Sequence, residues 1–276
     1  FITLQIERTN LQGFYKTHQE RPLTGIVAEA FKQILKIWLE YFIAGKAQIF
    51  WGNTNIRAIF YIIAISLFIQ LPFALLVALM ISDKIRGANF FRTVFFLPYI
   101  LAEIVTGLIW AYIYDGNYGM VAAIWNFFGA DPPHMIAEKE TAMIALYIVI
   151  FWKYFGIHMM IYIAGLQNIS KEVLEAAKVD GAGPVTTAWR IKIPIILPTI
   201  RLSVFLSILG ALQLFDIIMP LTGGGPSNQT HSMVTYLYYF GGMRMKFGFG
   251  SAIGVVIFLI CFTIAITYQR TLMRKD

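Results

Sequence analysis

Five apolar stretches, each long enough to cross a lipid bilayer, constrain this chain more than any other feature. They cover roughly residues 56–82, 90–114, 140–166, 199–219 and 249–269. A spanning helix needs about 20 mostly apolar residues. Each stretch is too long and too continuously apolar for a strand of a soluble sheet. Strands of a membrane barrel are about 10 residues long and alternate strictly, a pattern absent here. In hydrocarbon the backbone must satisfy its own hydrogen bonds, which leaves the helix. The expected fold class is therefore an all-α integral membrane protein, a polytopic helical bundle. Composition agrees, because 13% of residues are charged against about 25% in soluble domains.

Charge in the connecting segments gives the expected orientation. Lys84, Arg86 and Arg92 follow the first stretch, and Lys171, Lys178, Arg190, Lys192 and Arg201 follow the third. Arg270, Arg274 and Lys275 close the chain. The opposite links are poorer, since 115–137 has no Lys or Arg and 220–248 has Arg244 and Lys246. The positive-inside rule places the first set in the cytoplasm. The formal charge of +7 flanks apolar runs and forms no basic stripe, so it points to a membrane surface and not to nucleic acid. The lone Cys261 excludes a disulfide framework within the chain.

Residues 1–55 read as an external or interfacial N-terminal segment, ahead of a transmembrane domain spanning 56–276. The segment carries Arg8, Lys16, Arg21, Lys32, Lys36 and Lys46, more charge than an external segment usually holds. Long external segments translocate with little regard to charge. Residues 31–39 space their apolar side chains as an amphipathic helix at the outer interface. Phe1–Ile6 also reads as the end of a further, preceding span.

The cytoplasmic loop at 167–198 is the most informative. Ser170 is a good helix N-cap and Glu172 complements the helix N-terminus. Glu175, Ala176 and Ala177 favour helix, and Gly181 is a natural stop. Pro184 opens a second short helix, expected to reach about Lys192. Pro194 and Pro198 then turn the chain back towards the bilayer. Ala176 and Ala177 are expected to give the first helix a low-relief face that another protein approaches closely.

Glu175-Ala176-Ala177, Asp180-Gly181-Ala182, Ile191 and Pro194 resemble the EAA loop of ATP-binding-cassette importer permeases. The family spacing from Gly181 to Ile191 is met, with Ile193 where leucine is usual. Phe91–Tyr99, Ala164–Ile169, Leu212–Asp216 and Leu221–Pro226 with Thr230 resemble the carbohydrate subgroup, the maltose-type first permease. The resemblance covers about 85–276. It departs at Ala188, where an aromatic is usual, and residues 1–55 match poorly. It implies a bacterial inner-membrane permease subunit whose loop is a coupling helix docked on a separate ATPase. It further implies a second, similar permease, two ATPase subunits holding ATP-Mg, an external binding protein, and a sugar or oligosaccharide substrate. No cofactor is expected on this chain, and no Walker-type phosphate loop is visible.

Polar groups at membrane depth are costly and are functional candidates by default. Glu103, Trp110, Tyr154, His158, Gln213 and Asp216 are the expected substrate path. Glu103, Thr106 and Trp110 fall on one helix face, as do Tyr154 with His158 and Gln213 with Asp216. Sugars need flat aromatics and convergent hydroxyl partners. Hydrogen bonding between helices explains the same residues equally well, and Glu103 with Lys153 is a candidate ion pair. No second His or Cys accompanies His158 at metal-ligand spacing. A secondary transporter or channel would share the spans and buried charges but not the coupling loop. A membrane-embedded enzyme needs a nucleophile–base or metal cluster that the sequence does not show.

Overall fold

The computed structural model describes residues 56–82 and 87–272. The N-terminal segment 1–55 with its interfacial helix, and the charges Lys84, Arg86, Arg274 and Lys275, lie outside them. Among the described residues the secondary structure is helical throughout.

The first apolar stretch forms α1 (Ile56–Ile65), a π-turn (Ser66–Gln70) and α2 (Leu71–Ser82). Pro72 explains the wide turn. Proline has no N–H to offer the carbonyl four residues back, and a π-turn absorbs the missing bond. Ser66 Oγ donates to Gln70 Oε1 at 3.0 Å within it, and both residues are buried.

The second stretch is not one straight span. It divides into α3 (Ala88–Ile100) and α4 (Glu103–Ile113), bent by 95°. Leu101 and Ala102 are extended, with ψ of 142° and 138°. A short helix, α5 (Met120–Phe127), follows in the link after the second stretch. Then comes α6 (Thr141–Gln167), the longest helix, apolar on every side and packed centrally. A helix that is apolar all round belongs in an interior.

The loop forms α7 (Lys171–Val179), α8 (Pro184–Thr187), a π-turn (Ala188–Lys192) and α9 (Ile193–Ile195). α10 (Leu197–Gln213) re-enters the bundle after a 69° bend. The second loop helix thus runs past Lys192. The bend falls at Ile196, before Pro198, while Pro194 is absorbed where the π-turn ends. α11 (Ile218–Thr222), α12 (Met233–Leu237) and a π-turn (Tyr238–Met243) lead to α13 (Phe247–Leu272). Three continuous helices, Ile59–Ser82, Thr141–Gln167 and Phe247–Arg270, are long and apolar enough to cross a bilayer, and the two bent pairs bring the total to as many as five. Phe258, Leu259 and Phe262 are exposed on α13, a surface suited to lipid tails.

Two contacts on α6 hold the bundle together. On one side the fully buried Ala74 and Ala78 of α2 let the helices approach, and Phe155, Met159, Tyr162 and Ile163 fill the seam. On the other side α3 crosses at Gly156, where an added Cβ would lie 2.0 Å from the carbonyl oxygen of Phe95. Tyr114, at the end of α4, donates to the Ala145 carbonyl at 3.3 Å.

The break between α3 and α4 frees backbone carbonyls that a continuous helix would satisfy. Lys153 on α6 meets them. Its Nζ donates to the carbonyls of Tyr99, at 3.2 Å, and Leu101. The residue is 1% exposed. Its ammonium therefore serves the backbone, and the anticipated ion pair with Glu103 does not form among the described residues. Lys153→Met should leave both part-buried carbonyls unsatisfied. We expect a loss of about 2–3 kcal/mol, read as a lower melting temperature of the purified protein.

Candidate translocation cavity and coupling loop

The break also places Glu103. As the first residue of α4 it stands beside α6, where Tyr154 Oη donates to its Oε1 at 2.8 Å. Both residues line a cavity of about 340 Å³ between the π-turn after α1, the α3–α4 break, α6 and α10. Ser66 and Gln70 come from the π-turn, Tyr99 from α3, His158 from α6, and Ser207 and Gln213 from α10. Isoleucines 62, 150, 157 and 161 with Leu206, Leu214 and Phe215 form the apolar walls. Residues 150, 154, 157, 158 and 161 share one face of α6 by helical spacing. His158 is 6% exposed, with Nδ1 3.3 Å from Ser203 Oγ. Gln213 is exposed and its amide nitrogen reaches Cys261 Sγ at 3.8 Å. An apolar cavity with a few convergent polar groups has the character of a ligand site.

Four of the six expected path residues, Glu103, Tyr154, His158 and Gln213, meet in this cavity. Trp110 and Asp216 are not among its lining residues. Trp110 packs on Tyr114 and Trp152, with centroids 5.2 and 5.5 Å away, and its Nε1 has no hydrogen-bond partner among the described residues. Asp216 does not share a helix face with Gln213, because α10 ends at Gln213 and Leu214 is extended, with ψ of 119°. Asp216 is exposed. Sequence reasoning missed Ser66 and Gln70, whose signal was a polar pair four residues apart in an apolar run. It also missed a buried polar cluster of Thr230, His231, Ser232 and Thr235 in the 220–248 link. There His231 Nδ1 lies 3.0 Å from Thr235 Oγ1, and burial pushes the imidazole below its usual range.

The loop is built as its residues dictate. The Val173 N–H donates to Ser170 Oγ at 3.5 Å. At the far end Ala182 N–H bonds the Ala177 carbonyl at 2.9 Å and Gly181 N–H bonds that of Lys178 at 3.1 Å. This pair of bonds is the Schellman turn, which needs a left-handed residue. Gly181 supplies it with φ of 77°. Leu174 packs against the core cluster containing Ile169 and Ile196, which pins the loop to the bundle. Glu175, Ala176, Asp180, Gly181 and Pro194 are exposed, Ala182 and Ile191 half-buried. Ala177 is 5% exposed, so it faces its own chain and only Ala176 contributes to an outward low-relief face. Val179, Val185 and Trp189 stand out, 87%, 71% and 69% exposed.

Residues 70–275, which include most of the cavity and the whole loop, match the family described as the binding-protein-dependent transport system inner membrane component. The chain belongs to this family. Among similar members of this transport family is the trehalose/maltose transport system permease protein MalF of Thermococcus litoralis. It is 30% identical over 227 residues, covering 82% of this chain and 75% of that protein. The multiple sugar-binding transport system permease protein MsmF of Streptococcus mutans is 31% identical over 193 residues, covering 69% and 66%. The chain thus spans about two thirds to three quarters of these two members. The fold matches a chain of a bacterial alginate ABC transporter solved with an alginate pentasaccharide-bound periplasmic protein. The TM-score is 0.77 at 19% identity, over 98% of this chain and 94% of that one. A second crystal structure, of a transporter for import of the acidic polysaccharide alginate, gives 0.74 at 20% identity, over 98% and 99%.

Proposed function

We propose that this chain is the permease subunit of an ATP-binding-cassette importer for a sugar or oligosaccharide, and that it supplies half of the translocation path. The observation that carries this reading is the family match over 70–275, a range holding most of a cavity with a few convergent polar groups and an exposed helix–turn–helix loop. The relatives are named for trehalose, maltose and multiple sugars, which supports a carbohydrate. In this reading the chain sits in the bacterial inner membrane. It pairs with a second, similar permease and receives substrate from an external binding protein. Two ATPase subunits bind ATP-Mg and dock on the loop around Glu175, Ala176, Asp180 and Gly181. Exposed Val179, Val185 and Trp189 give that docking an apolar anchor. Trp is prominent among residues that carry binding energy at interfaces.

ATP-driven uptake by the assembled importer in proteoliposomes tests the path. Tyr154→Phe and Gln213→Leu should each reduce uptake about tenfold, consistent with one or two lost hydrogen bonds to substrate. ATPase activity stimulated by the loaded binding protein should persist. Trp110→Ala should instead lower stability, by about 3 kcal/mol, because its ring packs in the core. Normal uptake per folded complex in both cavity variants would remove the cavity from the path.

A further inference from the structure

We propose that Glu103 makes this cavity select neutral and basic sugars over acidic ones, an inference that rests on the sugar-path reading above. Glu103 presents a carboxylate at the cavity wall, and among the described residues no Lys or Arg lines that wall. Lys153 lies within electrostatic range of Glu103 but does not line the cavity, and its ammonium is turned onto the carbonyls of Tyr99 and Leu101. A ligand therefore meets the negative charge without meeting the positive one. Tyr154 occupies Oε1, while a carboxylate has a second oxygen with its own acceptor capacity. That oxygen suits a sugar hydroxyl or an ammonium. Glu103 and Asp216 also lie within electrostatic range of the Tyr154 hydroxyl, so a second carboxylate adds negative charge close to the cavity. His158, which also lines the cavity, carries no acidic neighbour in its contact, its Nδ1 lying 3.3 Å from Ser203 Oγ. A uronate placed in this cavity sets like charges several ångströms apart in a medium of reduced dielectric, which costs enough to change affinity about tenfold or more.

The test uses the assembled importer in lipid nanodiscs with the binding protein left out, so that the membrane site alone is read. Maltotriose, a glucosamine dimer and digalacturonate are titrated at neutral pH and followed by saturation-transfer NMR. Wild type should bind the first two at least about tenfold more tightly than digalacturonate. Glu103→Gln keeps an acceptor for Tyr154 and preserves the fold. It should bring digalacturonate to within about threefold of maltotriose and weaken the glucosamine dimer. Equal binding of all three by wild type, or an undiminished preference in Glu103→Gln, overturns the charge selection while leaving the sugar path standing. Binding of none of the three removes the sugar path itself, and the selection with it.

Discussion

Gly156→Ala should be the most damaging small substitution in the bundle. The new Cβ would fall 2.0 Å from Phe95 O, 2.8 Å from Phe95 C and 3.2 Å from Phe96 Cα. All three are backbone atoms of α3, so no rotamer change relieves the contact. Either α3 or α6 must move, and both carry the bundle. Overpacking of this kind costs about 3 kcal/mol or more, which corresponds to a melting temperature lower by roughly 10 °C for a chain of this size. Gly210→Ala is the matched control, because no atom lies within 4 Å of the position its Cβ would take. Removing a helical glycine there should stabilise by about 0.5–1 kcal/mol. Thermal unfolding of the two variants in the same detergent decides the matter. Equal melting temperatures would show that α3 and α6 are not in the contact described.

Gly181→Asp should abolish coupled transport while leaving the bundle intact. The residue has φ of 77°, yet nothing stands within 4 Å of its would-be Cβ. Within this chain the penalty is only the left-handed conformation, about 1 kcal/mol, and aspartate is among the residues that tolerate it best. If the loop docks on the ATPase as proposed, any larger loss arises at that contact, through the added bulk and charge at an exposed turn. We expect ATP-driven uptake to fall at least about tenfold, with a melting temperature within a few degrees of wild type. Gly181→Asn adds similar bulk without charge and separates the two contributions. Full uptake by a Gly181→Asp complex would place the docking surface elsewhere on the chain. A bulky residue at Ala177 is a poorer probe of docking than its sequence neighbourhood implies. Ala177 is 5% exposed and its carbonyl closes the Schellman turn, so such a change would disturb the loop itself.

The loop was legible because its determinants are local. An N-cap, a left-handed glycine and a proline at the start of a helix act within a few residues, and all three do so here. The cavity was legible only in part. Tyr154 and His158 lie on one unbroken helix, where spacing alone fixes the shared face. Gln213 and Asp216 straddle a helix end, and helical spacing fails once Leu214 turns extended. Trp110 illustrates a different limit: an aromatic that suits sugar stacking is equally suited to packing on Tyr114 and Trp152, and only its neighbours distinguish the two.

By itself the sequence determined the membrane-spanning helical class, the placement of the apolar runs and the construction of the loop at 167–198. These follow from hydrocarbon solvation and from short-range backbone chemistry. The tertiary structure alone decided that the second run breaks by 95° at Leu101–Ala102. A broken helix at membrane depth persists only where other groups satisfy the freed carbonyls. Here the group is Lys153, more than fifty residues later in the chain, a partner that no local pattern reveals. That one long-range contact turns Lys153 from a candidate ion-pair partner of Glu103 into a helix cap, and leaves the Glu103 carboxylate facing the cavity.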